Sequence, residues 1–135
     1  MELKRVVVTG LGAITPLGKT LTETWEGLVN GKSGAGPITH FDASKFKTQF
    51  ACEVKDFEPT QYFDRKEARK LDRYAQFALI AADEAIADSG MEVEKLDLDR
   101  IGVIFSSGIG GISTFQEEVE NYNAERGPRF NPFFI

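Results

Sequence analysis

A chain of 135 residues carrying 16 lysines and arginines against 21 aspartates and glutamates has a net charge of -5 at pH 7. That balance excludes a whole-domain nucleic-acid binder, which needs a positive excess, and no apolar run is long enough to cross a bilayer or to act as a signal segment behind a basic start. The length suits one compact domain, and a lone cysteine, Cys52, excludes an internal disulfide and reads as a reducing, cytoplasmic compartment.

Residues 5–18 read RVVVTGLGAITPLG. Val6, Val7 and Val8 form a β-branched run without alternation, which predicts a strand covered on both faces. Gly10 and Gly12 permit a tight turn or close approach by another segment, and Pro16 with Gly18 prevents a helix from continuing. Spacing decides against a dinucleotide site. Thr15 stands where the third glycine of the fingerprint belongs, Pro16 follows it, and no Gly-Lys-Thr phosphate loop occurs in the chain. The glycines read as structural.

Thr20 and Glu23 form a capping box, and Leu21, Trp25, Leu28 and Val29 fall at helical spacing before Gly31, which predicts a helix over about 21–30. A glycine-rich loop leads through Pro37 to His40, Phe41 and Asp42. From Thr48 to Val54, Phe50, Cys52 and Val54 alternate with polar or small residues, so a half-buried strand is expected, with Cys52 pointing inward as a small hydrophobe.

Asp64 and Glu67 frame the start of a helix expected to run unbroken to Asp88 and to close at Ser89-Gly90. Its middle is apolar nearly all round, which predicts a position inside the protein. Its first turns differ. Arg65, Lys66, Arg69, Lys70 and Arg73 project within an arc of about 140° on such a helix. Cations there oppose the macrodipole, and like charges at i, i+4 repel, each costing roughly a few tenths of a kcal/mol. Glu67 and Asp72 relieve part of that cost. A solvated charged face is the plain reading, but in an acidic chain a basic strip is also a candidate dock for an acidic partner.

A polar connector, residues 91–99, leads to Ile101, Gly102, Val103, Ile104 and Phe105, which predict a second buried strand. It ends in a glycine turn, Ser106 to Gly111, followed by Ile112, Phe115, Val119 and Tyr122 at helical spacing. No lysine or arginine stands in that turn, so a structural or apolar-pocket role is expected over anion binding. The chain stops on Pro132, Phe133, Phe134 and Ile135, an apolar cluster expected to be covered by further chain or by a partner subunit. Strand, helix, extended segment, long helix, strand, helix is an α/β order, and no repeat interrupts it.

Taken together, Arg5 to Gly12, Thr15-Pro-Leu-Gly18, Trp25, Lys32-Ser-Gly34, His40-Phe-Asp42, Arg65 to Lys70, Asp88-Ser-Gly90, Ser107 to Gly111 and Pro132-Phe-Phe134 resemble the N-terminal part of a bacterial β-ketoacyl-[acyl-carrier-protein] synthase. The resemblance runs end to end, and the Ser107 to Gly111 form is similar to the type II elongation class. It implies a thiolase-like layered fold, α-β-α-β-α in the intact protein, with residues 1–135 the larger part of its N-terminal half. It also implies decarboxylative Claisen condensation of an acyl group, held on a cysteine, with malonyl carrier protein.

The cysteine, two histidines and lysine of that family lie later in the chain. No catalytic residue is therefore expected among these 135, and the chain alone is expected to be inactive. A dyad of Cys52 with His40 is the sharper alternative, disfavoured because nothing cationic and no helix N-terminus stands near to lower the thiol pKa. The resemblance maps carrier-protein contacts onto Lys66, Arg69, Lys70 and Arg129, although Phe130 departs from the more basic pattern expected beside Arg129. It maps acyl-pocket contacts onto Ile109 and onto Phe134, the latter reaching the partner subunit's pocket. The implied partners are acidic acyl carrier protein, acyl and malonyl thioesters and a second copy in a homodimer, with no cofactor, metal, nucleic acid or membrane. A non-catalytic relative of the chain-length-factor type is the competing reading, and a nucleotide-binding α/β protein is a third.

Overall fold

Thr20 holds extended backbone, φ -134° and ψ 163°, and its hydroxyl accepts the Glu23 amide at 3.2 Å, so helix α1 begins at Leu21 and runs to Val29. The expected box is displaced by one residue, because the Glu23 carboxylate takes the Lys19 amide at 2.7 Å. Gly31, at φ 64°, provides the left-handed stop. The computed structural model describes residues 3–124 and Pro132. Two compact units divide the chain, one formed by Met1–Phe57 with Ile80–Leu96, the other by Glu58–Leu79 with Asp97–Ile135.

In the first unit, β1 (Gly36–Pro37) and β2 (Phe50–Ala51) pair antiparallel, Gly36 opposite Ala51 and Pro37 opposite Phe50. The expected orientation is reversed at Phe50 and Cys52, which are exposed while Ala51 and Glu53 are half-buried; Val54 is half-buried as well. The Glu53 carboxylate explains the reversal. It accepts both the amide of Thr39, at 3.0 Å, and its hydroxyl, at 2.7 Å, which turns the Glu53 face toward the neighbouring segment. These two bonds from Thr39, the hydroxyl's first, hold the Glu53 carboxyl below its ordinary range.

The glycine turn of residues 10–13 lies flat on the second part of helix α3 (Arg73–Ser89), whose residues 80–89 belong to the same unit. A Cβ on Gly12 would stand 2.7 Å from the Ala85 amide nitrogen, and one on Gly10 would stand 2.7 Å from that of Ser89. Carboxylates of α3 complete the seam. Leu11 donates its amide to Asp88 at 2.9 Å, and Glu84 accepts the amides of Ala13 and Leu21, each at 2.8 Å. Glu84 thus ties both the turn and the first residue of α1 to α3. Because backbone on both sides blocks relief, Gly12→Ala is expected to cost about 1–3 kcal/mol. The urea midpoint of the far-UV helix signal should fall accordingly, and an unchanged midpoint would show that the seam is loose.

Two expected strands do not form. No backbone hydrogen bond joins residues 6–8 or 103–105 to another described residue, and both runs are exposed, Val6 at 90 % and Ile104 at 98 %. β-branched composition favours a pleated backbone, but a strand exists only when a neighbour satisfies its N–H and C=O groups. Helix α3 is likewise not interior: its apolar residues are half-buried or exposed, and Gln76 is its one buried residue. Among the described residues the only buried apolar side chain is Ala43.

The second unit corrects the reading of one long helix. Chain from Asp64 to Ser89 forms a short α2 (Arg65–Ala68) and then α3, whose first residues, 73–79, lie in this unit. A 3-10 turn, Pro59–Gln61, precedes α2 and packs on it. The break has a local cause. Lys70 bonds back to Glu67 in an i to i+3 step, while Gln76, 5 % exposed, sends its amide group to the carbonyls of Ala68 at 2.9 Å and Leu71 at 3.0 Å. A buried side chain satisfying those carbonyls removes the need for a continuous helical ladder. The 3-10 turn Val93–Lys95 lies in the first unit and the 3-10 turn Leu98–Arg100 in the second, which also holds α4 (Ile112–Asn123), as its spacing predicts.

Candidate functional site

Asp64 caps α2, its carboxylate accepting the amides of Lys66 at 2.7 Å and Glu67 at 3.0 Å. Those amides, Glu67's first, hold its carboxyl below the ordinary carboxylate range, and the charge of Lys70 adds to the effect. Around this cap stand Arg65, Lys66, Arg69 and Lys70, all exposed. The strip is therefore assembled by a turn of helix and the bend after it, rather than by one face of a long helix. Arg73 belongs to a separate helix and sits over the Phe77 ring, 5.4 Å from its centroid. Of the four, Lys70 is drawn toward Asp64, while the side chains of Lys66 and Arg69 make no ion pair or hydrogen bond with a described residue. For Lys66 and Arg69, no pair with a described residue must be broken before they meet an acidic surface.

The glycine loop stands in the same unit. Ile109 is exposed on it, followed by Gly110 and by Gly111, which takes φ 67° at the N-cap of α4. Gly111 offers no capping side chain. Asp72, from the bend before α3, accepts the hydroxyl of Thr114 and lies beside Gly111. A carboxylate already occupying the start of α4 leaves that terminus no role as an anion site. Sequence reading missed Asp72 and Thr114 as a pair, having taken Asp72 only as charge relief for the strip.

The remaining candidates separate. Arg129 and Phe134 lie outside the described residues. His40 Nε2 stands 3.9 Å from a Glu53 oxygen, and Cys52 is exposed, so the histidine's charged neighbour is a carboxylate and not the thiol. The amides of Leu11 and Ala13, which a phosphate in the first glycine turn would need, donate to Asp88 and Glu84. That arrangement would repel a nucleotide. In a cavity of about 290 Å³ lined by Thr15 to Lys19, Glu23, Val54 and Lys55, Glu23 accepts the Lys19 amide and the Lys19 ammonium donates to the Asp56 carbonyl. Among the described residues no group of three or more metal-ligating side chains occurs, and no helix is long and apolar enough to cross a membrane.

Comparison with known proteins gives this geometry its context. The family profile described as Beta-ketoacyl synthase, N-terminal domain, matches residues 3–133. A Synechocystis protein named 3-oxoacyl-[acyl-carrier-protein] synthase 2 is 48 % identical over 136 residues, covering 100 % of this chain and 32 % of that protein. A Coxiella burnetii protein of the same name is 48 % identical over 138 residues, covering 100 % of this chain and 33 % of its own length. Among solved structures, the ishigamide ketosynthase/chain length factor superposes with a TM-score of 0.73 at 32 % identity, over 95 % of this chain and 32 % of that one. The chain spans about a third of the length of the curated relatives it matches.

Proposed function

The chain belongs to the β-ketoacyl synthase family through that family's N-terminal domain, of thiolase-like α/β fold, and we propose that it serves as the front part of a 3-oxoacyl-[acyl-carrier-protein] synthase 2. The observation that carries this reading is 48 % identity, over the whole chain, to proteins of that name. In the proposed reaction a cysteine thiolate outside these residues holds the acyl group as a thioester. Malonyl carrier protein loses carbon dioxide, and the resulting enolate carbon attacks the thioester carbonyl. The C–S bond breaks, the thiolate departs, and a 3-oxoacyl chain longer by two carbons remains on the carrier.

In this reading Lys66, Arg69 and Lys70, with Arg129, receive the acidic carrier protein. Ile109 and Phe134 contact the acyl chain, the latter across a homodimer, in the cytoplasm. The exposure of Lys66 and Arg69, with no ion pair or hydrogen bond from their side chains to a described residue, supports the docking role. The test is incubation of the full-length protein with acyl and malonyl carrier proteins. Carbon dioxide release, a two-carbon-longer product and an acyl adduct on a cysteine beyond residue 135 are expected, with no product from the 135-residue chain alone. A full-length protein that neither self-acylates nor condenses would instead be a non-catalytic, chain-length-factor type of relative.

A further inference from the structure

The start of α4 is built from outside itself. Its N-cap is Gly111 in the left-handed region, φ 67° and ψ 16°, with no side chain to accept the orphan amides of the first turn. A carboxylate 42 residues before Thr114 lies beside this terminus: Asp72 accepts the Thr114 hydroxyl and would lie 2.5 Å from a Cβ on Gly111. Next to it the Tyr74 ring covers Gly110, where a Cβ would come within 2.6 Å of the ring. Both residues that follow Ile109 therefore lie close against residues 72–74, and a directional hydrogen bond from Thr114, three residues past Gly111, reaches the same Asp72.

The same short segment is fastened to the basic strip. Two residues past Tyr74, buried Gln76 holds the carbonyls of Ala68 and Leu71, on either side of Arg69 and Lys70. Every one of these groups lies in the second unit. We propose that Asp72, acting through Thr114, is a positioning residue that holds the Ile109 loop at a set distance from the docking strip and so sets which acyl lengths the loop admits. The proposal rests on the reading of Ile109 as an acyl-pocket residue. Loss of the Thr114 hydroxyl removes the side-chain bond that joins the first turn of α4 to Asp72, and Gly110 and Gly111, the two residues between Ile109 and α4, carry no side chain that could replace it. Glycines without such a tether have broad backbone freedom.

The test uses the full-length protein and the variants Thr114→Val, which keeps the shape and removes the donor, and Thr114→Ser, which restores the donor. The readout is the ratio of kcat/KM for a long-chain acyl carrier substrate to that for a medium-chain one. Thr114→Val is expected to change this ratio by about fivefold or more, with Thr114→Ser within about twofold of wild type. A ratio unchanged in Thr114→Val, or an equal loss for both substrates that serine does not rescue, overturns the proposal. If the valine variant fails to fold, Gly110→Ala, which presses the loop against Tyr74, is expected to move the same ratio, and an unmoved ratio there is equally decisive. Wild-type protein without condensing activity would sink the proposed function itself, whereas active wild type with an unaltered variant ratio sinks only this inference.

Discussion

Reversing Lys66 and Arg69 together to glutamate raises the KM of the full-length protein for acyl carrier protein by about tenfold or more, while turnover of a small acyl thioester stays nearly unchanged. The expectation follows from how the strip is made. Both side chains are exposed and lack a partner among the described residues, so their charge is available to an incoming acidic surface. Replacing them with carboxylates changes attraction into repulsion and leaves the Asp64 cap of α2 in place. Lys70→Glu acts less cleanly, because Lys70 also faces Asp64. Arg73→Gln is expected to have a small effect, since that guanidinium lies over Phe77 on the next helix. The increase in KM should shrink as salt is added, because exposed charges are screened over about 8–10 Å at physiological ionic strength. An equal loss with both kinds of substrate would show that the strip supports the fold rather than the dock.

The second large effect concerns the 135-residue chain by itself. It is expected to self-associate at micromolar concentration and to bind an apolar dye, and Ile104→Lys or Val7→Lys should each raise the monomer fraction. The cause is visible in each unit separately. Residues 6–8 of the first and 103–105 of the second are apolar, exposed and without backbone partners among the described residues, which makes them templates for intermolecular strand pairing. A lysine in the middle of such a run acts as a gatekeeper, because pairing would desolvate its charge. Light scattering and sedimentation decide the matter. A monomeric chain that melts cooperatively and ignores the dye would contradict the expectation.

Helix ends were the most legible part of the fold. Thr20, Asp64, Gly31 and Gly90 announce caps and stops through chemistry that acts within a few residues, and the structure places each as expected, with Gly31 and Gly90 both at φ 64°. The helix at 112–123 was legible for the same reason, since helical bonds are satisfied inside the segment itself. What misled was apolarity. Val6 to Val8 and Ile101 to Phe105 have the composition of covered strands, but cover and pairing come from residues distant in sequence. Cys52 fails likewise: alternation marks two faces, and only the bonds of Thr39 to Glu53 decide which one turns inward.

The candidate site divides along the same line. Sequence alone determined the family, the presence of a basic strip at Arg65 to Lys70 and a glycine loop around Ile109, because motif spacing and charge are properties of the chain. Only tertiary structure decided that the strip is a capped turn followed by a bend, that Gln76 holds the bend, and that Asp72 meets Thr114 across 42 residues at the start of α4. It also decided what the first glycine turn is for. Gly10 and Gly12 allow backbone to lie on α3, where Asp88 and Glu84 take the amides that a phosphate would have used. Local chemistry sets which residues can cap, turn or carry charge, whereas long-range hydrogen bonds choose partners for them, and partners separated by tens of residues leave no periodic trace in a single sequence.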